Sequence, residues 1–256
     1  MDAENPVNRE RISLLKVPLD IVPPEQLGSV IFDLLNEVET SGEGRNIVLL
    51  SLWDLLRARR NGEYRTYVQN AALVIPISKS LVGGARFLTG KKAIRYMPFD
   101  FVVQLLTILE NREFSAFLLG AKARILKKTE KNIRLTFPRL RIVGRCIGAF
   151  KRQIEASILE AIRKASPHLL LVGKGARGKE LWIARNSSRL SRGLRLWCSD
   201  LFDVFAERKQ RPSRYAFEKG LEWIGFLVKN PLRFFRIFSF MYYNLLLLLY
   251  KIFKKG

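Results

Sequence analysis

Short apolar runs rich in β-branched residues alternate along the chain with longer stretches in which apolar residues recur every three or four positions. The short runs have the length and composition of buried strands, and the longer stretches have the periodicity of helices with one apolar face. The predicted strands cover residues 46–50, 73–77, 115–119, 140–143, 168–172 and 194–198, and the predicted helices cover residues 24–39, 52–61, 101–110, 123–137, 151–165 and 179–188. Strands that alternate with helices are typical of βαβ units. The sequence therefore predicts an α/β, Rossmann-like fold with a mostly parallel sheet flanked by helices.

The end of the chain has a different composition. Residues 208–256 contain eleven Lys and Arg residues against two Glu residues, and residues 237–250 are apolar apart from Ser239 and Asn244. A helix of that length spans only about 21 Å, whereas the hydrocarbon core of a bilayer is about 30 Å thick. We therefore expect an α/β domain over residues 1–207, followed by a basic, aromatic and leucine-rich helical appendage that lies at a membrane interface. A buried C-terminal helix is the alternative. The expected membrane contacts are Arg233, Arg236, Tyr242, Tyr243, Leu247, Lys251, Lys254 and Lys255.

The whole chain carries a formal net charge of +22 and is 48% hydrophobic. The hydrophobic fraction excludes a disordered chain, and the charge predicts an anionic partner, either nucleic acid or a lipid surface. The run of five leucines at 245–249 is a poor platform for stacked bases and favours lipid. Two separated cysteines, a single histidine and a polar N-terminus predict no disulfide framework, no export signal and no metal or cofactor. The expected location is the cytoplasmic face of the cell membrane, as a peripheral protein.

Two glycine turns follow predicted strands. Residues 173–178 read GKGARG, and residues 118–122 read LLGAK. Backbone N–H groups and cations at such turns bind phosphate, and the carboxyl ends of parallel strands meet at one edge of the sheet. The sequence therefore predicts a diphosphate-binding crevice between the two turns. The run 84–91 resembles a phosphate loop only superficially, because five residues separate Gly84 from Gly90 where the motif has four.

Short motifs spread over nearly the whole chain carry a family resemblance. They are residues 11–20 (RISLLKVPLD), 58–60 (ARR), 72–76 (ALVIP), 117–120 (FLLG), 171–175 (LVGKG), 202–203 (FD) and 220–223 (GLEW), the last followed by Asn230 and Pro231. Together they resemble the WecG/TagA/CpsF glycosyltransferases. The resemblance implies transfer of an N-acetylmannosamine-type sugar from a UDP donor to a lipid-linked acceptor, a polyprenyl diphosphate, in cell-surface polysaccharide biosynthesis. It also implies a basic C-terminal appendage that docks on the anionic membrane surface. Whether the chain forms a homo-oligomer stays open.

The resemblance further implies where the donor binds. The expected donor and diphosphate contacts are Gly120, Gly173, Lys174, Gly175, Arg177, Lys179, Glu180, Asp203, Arg211 and Arg214. Positive charge and backbone donors at such positions stabilise a departing diphosphate.

The chain departs from the family pattern in the site loops. The family's Pro-Asp-Gly, whose Asp resembles a catalytic base, reads Pro76-Ile77-Ser78, and an isoleucine cannot accept a proton. The family's Thr-x-Asn pair reads Leu49 and Ser51. Its Gly-Thr-Asp turn keeps only the carboxylate of Asp100, which is the candidate base; the alternative is that Asp100 caps a helix that begins at the next residue.

Three functions follow from these observations. The first is an active transferase with a rearranged, degenerate site. The second is a non-catalytic, membrane-bound paralogue that binds a lipid-linked intermediate or a partner enzyme. The third, a nucleic-acid-binding α/β protein, is disfavoured by the leucine run at 245–249.

Overall fold

The computed structural model describes residues 9–190, 192–211, 213–220 and 236–253. Its strands are β1 (Glu10–Leu14), β2 (Val17–Ile21), β3 (Arg45–Leu50), β4 (Leu73–Pro76), β5 (Ser115–Leu119), β6 (Arg141–Cys146), β7 (Leu169–Gly173) and β8 (Leu194–Ser199). Strands β3 to β8 form one parallel sheet in the order β4-β3-β8-β7-β5-β6, and β1 and β2 form a separate antiparallel hairpin.

Helices flank the sheet, so that the fold is α/β and Rossmann-like as the sequence predicts. They are α1 (Leu27–Ser41), α2 (Leu52–Arg60), α3 (Gly62–Gln69), α4 (Lys79–Thr89), α5 (Pro98–Asn111), α6 (Ala123–Thr136), α7 (Glu155–Ala165), α8 (Leu181–Arg185), α9 (Leu201–Phe205), α10 (Arg214–Lys219) and α11 (Arg236–Phe253). Single 3-10 turns at Pro24–Gln26 and Arg152–Ile154 precede α1 and α7. The helices predicted over residues 24–39 and 151–165 therefore each begin as a 3-10 turn and continue as an α-helix.

The sheet is buried on both faces. Every residue of β5 and β7 is buried, and successive residues of a strand belong to different cores. Leu170 and Val172 contribute to one core, whereas Leu169 and Leu171 contribute to the other. A parallel sheet covered by helices on both sides requires this continuous apolar sequence. Strand β6 is at the edge and alternates between exposed and covered residues.

A buried carboxylate attaches the hairpin to the sheet. Asp20 on β2 is fully buried and pairs with Arg11, whose Nε lies 2.7 Å from Oδ1. The same carboxylate accepts a hydrogen bond from the backbone N–H of Val74 on β4, at 2.6 Å. Because a buried charge is costly unless it is paired and hydrogen-bonded, these contacts fix the position of the hairpin.

Three helices, α3, α4 and α9, were not predicted, and one helix begins earlier than predicted. Helices α3 and α4 fall outside the predicted helices, and α4 contains Gly83 and Gly84, which weaken a helix. The run 84–91 thus lies in and just after α4, which agrees with its rejection as a phosphate loop. Helix α5 begins at Pro98 with Met97 as its N-cap. The prediction that Asp100 caps a helix is therefore wrong, because Asp100 lies inside the first turn.

Helix α11 packs against α4 through one narrow face. Tyr243 and Leu247 are buried, and the Tyr243 hydroxyl donates a hydrogen bond to the carbonyl oxygen of Ser80 at 2.9 Å. Gly84 makes room for this ring, since a Cβ there would lie 2.0 Å from the Tyr243 oxygen. The assignment of Tyr243 and Leu247 as membrane contacts is therefore wrong. They hold α11 on the protein, so the alternative of a buried C-terminal helix applies to this face of the helix only.

The rest of α11 that the structure describes is largely exposed. Tyr242 is 40% exposed and its ring lies 5.4 Å from the Arg60 guanidinium carbon, while Lys251 donates to the carbonyl oxygen of Phe87 at 2.7 Å. The exposed apolar residues, named here the outer face of α11, are Ile237, Phe238, Phe240, Met241, Leu245, Leu248, Leu249, Ile252 and Phe253. Among the described helices, none is both long enough and apolar enough to cross a bilayer. Arg233, Lys254, Lys255 and the side chain of Arg236 lie outside the described residues.

Removal of one hydroxyl is expected to weaken the docking of α11. Burial raises the pKa of Tyr243, so the hydroxyl keeps its proton and donates to Ser80. Tyr243→Phe removes this hydrogen bond and is expected to lower the free energy of unfolding by about 1 kcal/mol. Urea denaturation measures the loss. The matched control is Tyr242→Phe at the exposed neighbouring ring, and an equal loss there would contradict the assignment.

Candidate functional site

The carboxyl ends of β3, β4, β7 and β8 open into a cavity of about 1060 Å³. Residues that follow these strands line it, together with α2, the segment 95–99 and part of the segment 209–217. Ligands of parallel α/β sheets bind at this edge, and the volume is at the upper end of small-molecule sites. The cavity therefore lies at the edge where the sequence predicts a diphosphate site.

The structure divides the expected donor contacts into two groups. The cavity lining includes Lys174, Gly175, Lys179, Glu180 and Arg211. Within the described residues, Gly120, Gly173, Arg177, Asp203 and Arg214 lie outside that lining, and so does Asp100. About half of the expected contacts are thus brought together.

The glycines of the two turns allow the loops to pack closely. A Cβ at Gly120 would lie 2.7 Å from the Cα of Gly173, and one at Gly175 would lie 2.9 Å from the backbone of Gly148. Gly120 and Gly175 also have φ values of +145° and +104°, which side chains rarely adopt. The prediction of a crevice between two glycine turns is corrected accordingly. The turns pack on each other, and among their described residues Lys174, Gly175 and Ala176 reach the cavity.

Three other predicted contacts are directed elsewhere. The carboxylate of Asp203 lies 3.6 Å from Arg208. Arg177 is exposed on the turn before α8. Arg214 is the first residue of α10, whose N-terminus is capped by the hydroxyl of Ser213. These side chains are at the periphery of the site.

Cations outnumber anions in the lining that the structure describes. The cations are Arg57, Arg95, Lys174, Lys179, Lys209 and Arg211, and the carboxylates are Asp54, Glu180 and Asp200. Positive charge of this density in a concave site attracts anionic ligands. Among the described residues, no group of three or more metal-ligating side chains is present.

Arg95 connects its own segment, residues 95–99, to two other parts of the site. Its Nε donates to the carbonyl oxygen of Ile77 at 3.0 Å, and its NH1 donates to the carbonyl oxygen of Phe217 at 2.6 Å. The guanidinium also lies 3.7 Å from the centroid of the Phe217 ring. Burial lowers the pKa of Arg95 to about 10, so it remains charged at neutral pH. Arg95 thereby joins the end of β4 to α10.

Glu180 and Arg57 form an ion pair beside two tyrosines. Glu180 is buried, and the Arg57 guanidinium lies 4.2 Å from the centroid of the Tyr64 ring. Burial raises the pKa of both Tyr64 and Tyr67, and the negative charges of Asp54 and Glu180 raise it further. Both hydroxyls are therefore neutral donors. The Tyr67 hydroxyl is buried and has no hydrogen-bond partner among the described residues.

Asp200 and Asp100 hold cations at the rim. Asp200 is bonded to Lys209 and lies 3.8 Å from Lys174. Burial acts to raise the pKa of Asp200, but the hydrogen bond and the two positive charges outweigh it, so that the net shift is downward. Asp100 lies 3.5 Å from Arg211, whose guanidinium is near the Phe99 ring. Asp100 therefore orients Arg211.

Sequence reasoning missed several lining residues, including Asp54, Arg57 and Arg95. The first two are on α2, which starts at the carboxyl end of β3 and is capped there by Ser51. Their spacing of three places them on one face of the helix, and this signal was present in the sequence. Arg95 lies in an irregular segment, and no periodic pattern marks it.

The model of the glycosyl transferase WecG/TagA/CpsF family matches residues 12–256. The chain belongs to this family. Two curated relatives carry the name N-acetylglucosaminyldiphosphoundecaprenol N-acetyl-beta-D-mannosaminyltransferase. The relative from Bacillus spizizenii is 24% identical over 86% of this chain and 85% of its own length, and the relative from Bacillus subtilis is 24% identical over 75% and 74%.

The positions at which the resemblance implies a departure from the family pattern lie at the cavity of this WecG/TagA/CpsF protein. Leu49, Ser51 and Ile77 all belong to the lining. The backbone N–H of Ile77 donates to the carbonyl oxygen of Leu50 at 2.9 Å, so Ile77 continues the end of β4 beside β3. These positions therefore lie where the paired strands β3 and β4 open into the cavity.

Proposed function

We propose that the protein transfers an N-acetylmannosamine-type sugar from a UDP donor to a lipid-linked acceptor at the inner face of the membrane, in cell-surface polysaccharide biosynthesis. The observation that carries the proposal is the cation-rich cavity at the carboxyl ends of the strands, in a chain that belongs to this family over residues 12–256. The names of the two Bacillus relatives supply the sugar and the type of acceptor.

The donor's diphosphate is placed against the basic side of the cavity. Lys174, Lys179, Arg95 and Arg211 contribute lining atoms there, and fixed cations stabilise the charge that develops on a departing diphosphate.

The acceptor is placed at the membrane by the segment 208–256. The outer face of α11 presents apolar side chains of the kind that enter the acyl boundary. The same segment supplies Arg211 and Phe217 to the cavity. In this proposal the appendage is therefore part of the site as well as an anchor, and the protein is peripheral to the membrane.

A non-catalytic paralogue is the second candidate. The observation that favours it is Ile77, which lines the cavity where the family pattern has an aspartate. Such a protein keeps the basic cavity and the outer face of α11 and binds a lipid-linked intermediate or a partner enzyme without transfer.

Calorimetry and turnover separate the two candidates. The full chain is titrated with UDP and then assayed with UDP-N-acetylmannosamine and a short polyprenyl diphosphate N-acetylglucosamine acceptor in detergent. A transferase is expected to bind UDP and to form the disaccharide lipid. UDP binding without product over a range of pH supports the paralogue. The absence of UDP binding at millimolar ligand contradicts both, because each relies on the basic cavity.

A further inference from the structure

Three carboxylates line the cavity in the part of the chain that the structure describes. Glu180 is paired with Arg57, and Asp200 is paired with Lys209 and Lys174. Asp54 makes no ion pair among the described residues. A carboxylate in an ion pair is held by its cation, which opposes proton uptake, whereas no cation is paired with Asp54 in the described residues. Asp54 is therefore the lining carboxylate best placed to accept a proton.

The side chain of Asp54 is held in one orientation. It is the third residue of α2, and it forms a reciprocal capping box with Ser51. The backbone N–H of Ser51 donates to Oδ2 of Asp54 at 3.0 Å, and the Ser51 hydroxyl donates to the same oxygen. Both bonds use Oδ2. The other carboxylate oxygen, Oδ1, is left to meet a ligand in the cavity.

Asp54 lies on an element that is tied to the end of β4. The backbone N–H of Leu52, at the start of α2, donates to the hydroxyl of Ser78 at 3.1 Å. Ser78 directly follows Ile77, and Ile77 and Asp54 line the same cavity. We infer that Asp54 is the general base of the reaction proposed above, in place of the carboxylate that Ile77 lacks. The inference rests on the proposed function.

The proposed step moves one proton and exchanges one bond. Oδ1 of Asp54 takes the proton of the acceptor hydroxyl while the hydroxyl oxygen attacks the anomeric carbon of the donor sugar. The bond from that carbon to the β-phosphate oxygen breaks, and its electron pair leaves with UDP, where the basic side chains of the cavity stabilise it. Asp54 afterwards releases its proton to water. Nothing is oxidised or reduced, and no further reactant is needed.

Asp54→Asn tests the inference in the full-length protein. The asparagine oxygen still accepts the bond from the Ser51 N–H, so the helix start is retained. We expect turnover to fall by about 10²–10⁴-fold, with unchanged UDP affinity in calorimetry. Asp33→Asn on α1, outside the cavity, is the matched control.

A second variant separates a base from a structural residue. Adding Ile77→Asp to Asp54→Asn supplies a carboxylate at the family position and is expected to recover turnover. Asp54→Asn with wild-type turnover overturns the inference and leaves the transferase proposal standing. So does a single variant that loses UDP affinity together with turnover, or a double variant that is no more active than the single one. A wild-type protein that binds UDP without any turnover overturns both the transferase proposal and the assignment of Asp54 as its base.

Discussion

Replacing Leu245, Leu248 and Ile252 together by serine is expected to release the protein from anionic vesicles. These side chains are 53%, 52% and 67% exposed on the outer face of α11. Full burial of one such side chain is worth about 1.5–3 kcal/mol. Since somewhat more than half of each is exposed, the three together contribute about 3–5 kcal/mol to membrane binding. Because about 1.4 kcal/mol corresponds to a factor of ten, binding is expected to fall by about 10³-fold. Co-sedimentation with phosphatidylglycerol vesicles measures it.

The control for this triple variant is Leu135→Ser. Leu135 is 71% exposed on α6 and equally apolar, but it is not on the outer face of α11, so vesicle binding is expected to stay at the wild-type level. Salt is expected to weaken wild-type binding only in part, since it screens charges and not apolar burial. Continued co-sedimentation of the triple variant, or complete release of the wild type by salt, would count against α11 as the anchor.

The architecture of the sheet was predictable from local sequence, but its strand order was not. Runs such as Leu169–Gly173 are apolar at almost every position, and only a strand covered on both faces needs this. The order β4-β3-β8-β7-β5-β6 depends on pairings between residues far apart in sequence, for example Ile47 with Leu196. No local pattern encodes such a pairing.

The missed helix α4 illustrates a local signal overridden by a distant contact. Gly83 and Gly84 lower helix propensity, and this made the segment look like a loop. In the fold, Gly84 is the position on which the ring of Tyr243 packs. The same contact buries Tyr243, whose aromatic and basic neighbours in sequence favour a membrane contact. The missed helix α4 and the assignment of Tyr243 to the membrane therefore have one physical cause, the packing of α11 on α4.

The cavity lies at the edge of the sheet where the sequence predicts a diphosphate site, and its lining includes residues outside the predicted set. Glycine turns after strands indicate Lys174 and Gly175, which line the cavity. Such turns do not mark a helix that starts at the same edge, so Asp54 and Arg57 on α2 are outside the predicted set. Asp100, the base expected from the sequence, lies 3.5 Å from Arg211. Which cation a carboxylate pairs with depends on the fold, and no local sequence pattern encodes it.

Arg95→Met is expected to weaken UDP binding by about tenfold to a hundredfold. Arg95 lines the cavity and is already fixed by Ile77 and Phe217, so little further ordering is needed when an anion binds. A hydrogen bond to a charged group is worth about 1.5–3 kcal/mol, and methionine keeps the length of the side chain without its charge. Arg86→Met, at an exposed arginine of α4, is the matched control. Unchanged affinity in Arg95→Met would contradict a diphosphate at this position.

The pH dependence of binding gives a second, independent test of Arg95. Burial lowers the pKa of Arg95 to about 10, so its charge is complete at neutral pH and is lost as the pH rises through that value. UDP affinity is expected to be flat near neutral pH and to fall at the alkaline end, with a smaller fall in Arg95→Met because that variant has no such charge to lose. Asp54→Asn is expected instead to lower turnover at unchanged UDP affinity. Calorimetry and rate measurements on the two variants therefore distinguish loss of the cation from loss of the base.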